Sequence, residues 1–184
     1  IARVSGLTFT AAASFGVADY KIVGVDNFGL AGQSTFPGTN AKGASTTDFE
    51  SWNFFNTTSF WTTHGRETGG TDFMVYNTLH EFLHGLGVGH PHDTGTGSTK
   101  ISDNSTPVST TDNPLDNERY TVMSYERGGV NSNLGFKFGH AATPMALDIA
   151  VLQGLYGANS TTHTGNTTYN LSDRGSTSYD PDGS

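Results

Sequence analysis

The chain has 184 residues, 34% of them hydrophobic, with 24 glycines and no cysteine, and nine basic against seventeen acidic side chains leave a formal charge of −8 at pH 7. That length supports one well-buried domain, the charge disfavours phosphate backbones and anionic lipid as partners, and the missing thiols exclude disulfides and thiolate metal ligands. No apolar run reaches the roughly 20 residues of a membrane span, and the opening "IARVSGLTF" lacks the charged-then-apolar layout of a signal peptide, so export requires a signal outside this stretch.

Residues 1 to 61 read as strands between Gly-rich turns: "VSGLTFTA", "DYKIVGVD", "AGQSTFPG" and "SWNFFN". Pro37 is poorly tolerated in a central strand, which makes "GQSTFP" the expected edge strand. A helix follows in "TDFMVYNTLHEFLHGLG", with Thr71 as its expected N-cap, Asp72 complementing the macrodipole and Gly87 as its terminator. Phe73, Tyr76, Leu79, Leu83 and Leu86 recur at spacings of three and four, so one face is expected to bury against the sheet. Residues 93 to 119 are polar and without period, an expected surface loop. A second helix, "TPMALDIAVLQGLYG", takes Thr143 as cap, Pro144 in its first turn, an apolar row at Met145, Ile149, Leu152 and Tyr156, and Gly157 as stop. From 158 onward the chain is too polar to build a core alone.

The stretch "HEFLHGLGVGHPHD", residues 80 to 93, concentrates four of the seven histidines. Residues four apart share a helix face, so His80 and His84 project together. Tetrahedral zinc at about 2.0 to 2.1 Å from each nitrogen asks for nitrogens roughly 3.3 Å apart, within reach of that pair. Glu81 is rotated about 100° from His80 and flanks the metal, where a general base belongs. His90 is too far along to share a straight helix with them, but a positive-φ Gly87 ends the helix and turns the chain back, bringing His90 round as a third ligand. Three histidines leave one position open, the arrangement of a catalytic zinc. His64, His92, His140 and His163 are not at ligand spacing and are expected in structural or exposed roles.

His80, Glu81, His84, Gly87 and His90 meet every fixed position of His-Glu-x-x-His-x-x-Gly-x-x-His, so the stretch resembles the metzincin zinc-peptidase signature, and Pro91 resembles the serralysin subfamily within that clan. "YTVMSYE" at 120 to 126 resembles that subfamily's Met-turn, and "GHAATPMALDIAVLQGLYGAN" at 139 to 159 resembles the segment running into its last catalytic-domain helix. Leu83 departs from the glycine usual there, and the strand and long helix that usually open such domains have no counterpart before Ile1.

The resemblance implies an α+β metzincin-like zinc peptidase domain. Its expected parts are a twisted, mostly parallel sheet with an antiparallel edge strand, an active-site helix, and a C-terminal helix after a Met-turn. Residues 1–157 form the catalytic domain, and 158–184 a polar tail that resembles the passage into a calcium-binding β-roll. The implied activity is a secreted, extracellular zinc endopeptidase acting on protein or peptide substrates through a zinc-activated water, with Glu81 as general base. Zn2+ is held by His80, His84 and His90, with Tyr125 as an extra ligand or as a hydrogen-bond donor to the developing oxyanion. Met123 is a polarisable floor under the imidazoles, Asp148 braces its turn, and the edge strand Gln33, Ser34, Thr35 and Phe36 pairs with extended substrate. His163, Gly165, Thr167, Asp180 and Asp182 are implied as holders of Ca2+, beside a solvated Asp/Asn/Gly loop as the plain alternative. A missing N-terminal segment or a downstream β-roll are the expected completing parts. The rival function is a non-catalytic zinc-binding or adhesion module derived from such a peptidase.

Overall fold

The computed structural model describes residues 1–26, 30, 32–38, 50–57, 70–94, 99–102, 115–126, 140–166 and 168. Three strands form one sheet: β1 (Tyr20–Val25), β2 (Gly32–Ser34) and β3 (Ser51–Asn56), in the order β1-β3-β2. β1 runs parallel to β3, from Tyr20 opposite Ser51 to Val25 opposite Asn56, while β2 is antiparallel to it, with Gln33 opposite Phe54. The expected mostly parallel sheet is thus, among the described residues, one parallel and one antiparallel pairing. β2 pairs on one side only among those residues, in keeping with the edge position inferred from Pro37. Its ladder continues past Ser34, because Thr35 N donates to Trp52 O at 2.8 Å.

Strand β3 alternates as a half-buried strand does: Ser51, Asn53 and Phe55 are buried, while Trp52 and Phe54 stack on the other face with centroids 6.1 Å apart. Helix α1 (Gly70–His84) lies against β2. Ser34 Oγ stands 2.5 Å from Asn53 Oδ1 and 2.8 Å from the Glu81 carbonyl oxygen, tying strand to helix. The approach is close enough to require glycine at 32, where a Cβ would stand 2.8 Å from both Asn77 Nδ2 and Glu81 Cγ. On α1's other side Tyr76, Leu83, Leu86 and Val88 join Val122, Met123 and Leu152 in the core. Of the row expected to face the sheet, Tyr76, Leu79, Leu83 and Leu86 instead pack in the cluster with Val122, Met123 and Leu152 of helix α2 (Ala146–Tyr156), the Phe73 side chain lies outside the described residues, and Phe82 takes the sheet contact, its ring 4.5 Å from that of Tyr20.

Three expectations are corrected. "VSGLTFTA" is not a strand: Ser5 makes one isolated bridge to Ala158, and the residues after it have no regular structure. Alternation alone cannot hold a strand without a neighbour to satisfy its backbone, and Gly6 N is engaged instead by Gly157 O at 2.8 Å. Helix α1 begins at Gly70, which puts Thr71 inside the first turn rather than at its cap. Helix α2 begins at Ala146, after Thr143 and Pro144, because Asp148 reaches back to accept from Met145 N at 2.8 Å and does the capping that Thr143 was expected to do. Gly157, at φ 78°, ends it as expected.

Candidate metal centre

The turn after α1 is what gathers the histidines. Gly87 N donates to His84 O at 2.8 Å and Val88 N to Leu83 O at 3.0 Å, the paired bonds of a Schellman C-cap, with Gly87 at φ 89° as its left-handed residue. A side chain at 87 would be strained there, and without that turn the chain would carry His90 away from the helix. Pro91 is buried, and its carbonyl accepts from Ile101 N at 2.8 Å and Ser102 N at 3.1 Å, which anchors the far end of the turn.

Each ring has its Nδ1 engaged by an acceptor: His80 with Val122 O at 2.8 Å, His84 with Val88 O at 2.8 Å, and His90 with Asp93 Oδ2 at 2.6 Å. An Nδ1 facing a carbonyl or carboxylate oxygen must carry the proton, so each neutral ring is left with a bare Nε2. Those bare nitrogens converge. His80 Nε2 and His84 Nε2 stand 3.2 and 3.0 Å from His90 Nε2. Three lone pairs cannot hydrogen-bond to one another, and their spacing is close to the roughly 3.3 Å that tetrahedral zinc asks for. The donor set therefore fits a zinc ion held by His80, His84 and His90, which together form a potential metal-binding group.

Burial keeps the rings uncharged. It pulls His80 down to about 4 and His84 to about 3, against the smaller opposing effect of their carbonyl partners. His90 is also lowered by burial, with the Asp93 carboxylate working in the other direction. Glu81, 6% exposed, has its carboxyl pushed up to about 7, mainly by burial. The Tyr125 hydroxyl lies 2.9 Å from His90 Nε2, and burial of the phenol together with the Glu81 and Asp93 charges holds its pKa above the usual range. Phe36 packs edge-on to His84 with centroids 5.3 Å apart, so the strand segment Gln33, Ser34, Thr35 and Phe36 leads up to this cluster.

Met123 is fully buried in the core beside Val122. Asp148, 1% exposed, accepts from Thr121 Oγ1 at 2.6 Å and from Val122 N at 2.9 Å. Val122 thus joins Asp148 through its N–H to His80 through its carbonyl. Among the other histidines, His140 Nδ1 lies 3.1 Å from Glu118 Oε2 with its ring stacked on Tyr76, and His163 is exposed at φ 54°. His64, Thr167, Asp180 and Asp182 fall outside the described residues, and Gly165 is exposed. Sequence reasoning passed over Asp93, although a carboxylate three residues beyond a ligand histidine is a signal for the partner that fixes its tautomer. The carbonyls of Val88 and Val122 carry no side-chain signal at all.

No family model matches the chain. Serralysin B of Dickeya chrysanthemi is 31% identical over 136 residues, covering 74% of this chain and 25% of that protein. Metallopeptidase AprA of Pseudomonas marginalis is 33% identical over 175 residues, 90% of this chain and 33% of that protein, an overlap too broad to omit positions 80 to 125. Serralysin C of Dickeya chrysanthemi is 42% identical over 103 residues, 53% of this chain and 20% of that protein. The chain spans between a fifth and a third of the length of these relatives. With three imidazoles meeting at one point inside the shared stretch, the chain is serralysin-like, a sequence of that metallopeptidase family.

Proposed function

We propose that this chain is the catalytic part of a secreted zinc endopeptidase that hydrolyses protein or peptide substrates. The observation that carries this reading is the convergence of three unprotonated Nε2 atoms whose Nδ1 protons are already committed elsewhere. A zinc ion held by His80, His84 and His90 would supply a Lewis acid for the scissile carbonyl and would acidify a water toward a pKa of about 7. Glu81 takes a proton from the attacking water and delivers it to the leaving amine. In the metal-free chain burial pushes its carboxyl up to about 7, and within hydrogen-bond reach of that water a carboxylate can accept and return a proton. Tyr125 places its phenol beside His90, where it serves as an extra ligand or turns its O–H toward the developing oxyanion.

In this reading Gln33 to Phe36 add an extended substrate as a further strand beside β2, Met123 is the floor under the imidazoles, and Asp148 braces that floor. Residues 1–157 form the catalytic domain and 158–184 begin a calcium-binding β-roll, with His163, Gly165, Thr167, Asp180 and Asp182 as calcium holders.

Glu81→Gln separates this reading from a zinc-binding adhesion module. The variant is expected to keep one zinc per chain and to lose peptide hydrolysis by at least about a hundredfold. A variant that cleaves a casein-like substrate as fast as its parent removes Glu81 from the chemistry. A parent chain that holds zinc and cleaves nothing leaves the adhesion module standing.

A further inference from the structure

His92 and Asp116 have no part in the zinc reading, yet they adjoin Tyr125, which has one. His92 lies against His90 with ring planes 13° apart and centroids 5.0 Å apart, and its centroid is also 5.0 Å from that of Tyr125, at 48°. His90, His92 and Asp93 are near enough to one another to suggest a second ion. Ring nitrogens bind metals in the ring plane, however, and two nearly parallel stacked rings do not aim their lone pairs at one point. His90 Nδ1 is moreover already bound to Asp93 at 2.6 Å.

Asp116 shows what His92 is held by. Its side chain is 1% exposed, Oδ1 accepts from Ser124 Oγ at 2.6 Å, and Oδ2 has no hydrogen-bond partner among the described residues. A buried carboxylate oxygen left unpaired is unfavourable, and His92 Nδ1 stands 3.9 Å from it. A small rotation of the ring closes that gap into a charge-assisted hydrogen bond. One oxygen of Asp116 thus fixes the residue before Tyr125 in sequence, and the other faces the ring that packs against Tyr125 in space. The carboxylate sets backbone and wall in register.

Tyr125 needs such a wall. It is 47% exposed, and its described ring contacts are all with the histidines 80, 90 and 92. His80 and His90 are committed to the metal in the reading above, on which this inference rests. We propose that His92, anchored by Asp116, is a positioning residue that keeps the Tyr125 phenol turned toward the metal centre and limits its swing into solvent.

The test is peptide-mapped nitration of Tyr125 by tetranitromethane in the metal-free chain, run with zinc stoichiometry and peptidase kinetics. His92→Ala is expected to nitrate about fivefold faster at Tyr125 than the parent, as loss of one aromatic contact predicts. His92→Phe, which keeps a ring in place, restores most of the protection. Asp116→Asn, checked for fold by circular dichroism, lies between parent and His92→Ala. Zinc content stays at one per chain in all of them, and kcat falls in His92→Ala while KM moves little. An unchanged nitration rate at Tyr125 in folded His92→Ala and Asp116→Asn overturns the inference. A parent chain that binds no zinc overturns the metal-centre reading instead, and the nitration comparison still decides the role of His92.

Discussion

A buried histidine whose Nδ1 proton is held by a carbonyl has only its Nε2 lone pair left to offer, and three such lone pairs converging on one point suit a cation. The pH behaviour of the metal-free chain follows from that burial. His80 and His84 fall from 6.5 to about 4 and about 3, so the unfolded chain binds more protons than the folded one as pH drops below 6.5. Their contribution is complete above 6.5 and is lost as pH falls through the folded values. Glu81 rises from 4.5 to about 7 and acts in the opposite sense, favouring the fold below 4.5 and losing that contribution as pH climbs toward 7. Two groups outweigh one, so thermal denaturation of the chelator-treated chain is expected to show a melting temperature that rises between about pH 4 and pH 6.5. His84→Gln flattens that rise, and a parent profile that falls over the window contradicts the assignment. The convergence of the three histidines was legible in the sequence because helical spacing and a left-handed glycine are local properties. Asp116 was not, since its closeness to His92 depends on how two distant segments pack.

Helix α2 connects to His80 of helix α1 through the Val122 backbone. Asp148 accepts from Val122 N at 2.9 Å, and Val122 O accepts from His80 Nδ1 at 2.8 Å, so a carboxylate on one element sets the tautomer and aim of a ring on another. Partners of this kind typically change metal affinity by about 10- to 100-fold when removed. Asp148→Ala is expected to weaken zinc binding about tenfold in a chelator competition while the three histidines remain. Affinity equal to the parent's removes Asp148 from the support of His80. Both helices could be read from their apolar periods, but their starts could not. Asp148 reaching back to Met145 N displaced the expected Thr143 cap. The segment "VSGLTFTA" has a strand's alternation yet finds no sheet edge, and pairing partners are set by topology rather than by local pattern.

Over the whole molecule the division of labour is spatial. The main cluster of buried apolar side chains collects between α1, the turn at Val122 and Met123, and α2, whereas the sheet meets α1 through polar contacts at Ser34, Asn53 and Glu81 and the ring contact of Tyr20 with Phe82. The histidine cluster sits where these two halves adjoin, with Phe36 against His84 from the strand side and Tyr125 against His90 from the core side. A zinc ion bound there would stabilise the folded chain by an amount that grows with the logarithm of free zinc relative to its Kd. The most direct measurement is zinc titration of the chelator-stripped chain by calorimetry, with the melting temperature followed in parallel. One tightly bound zinc per chain, an upward shift in melting temperature on binding, and loss of both in His84→Ala are the predicted results. A folded parent chain that takes up no stoichiometric zinc, or binds it equally well without His84, contradicts the account.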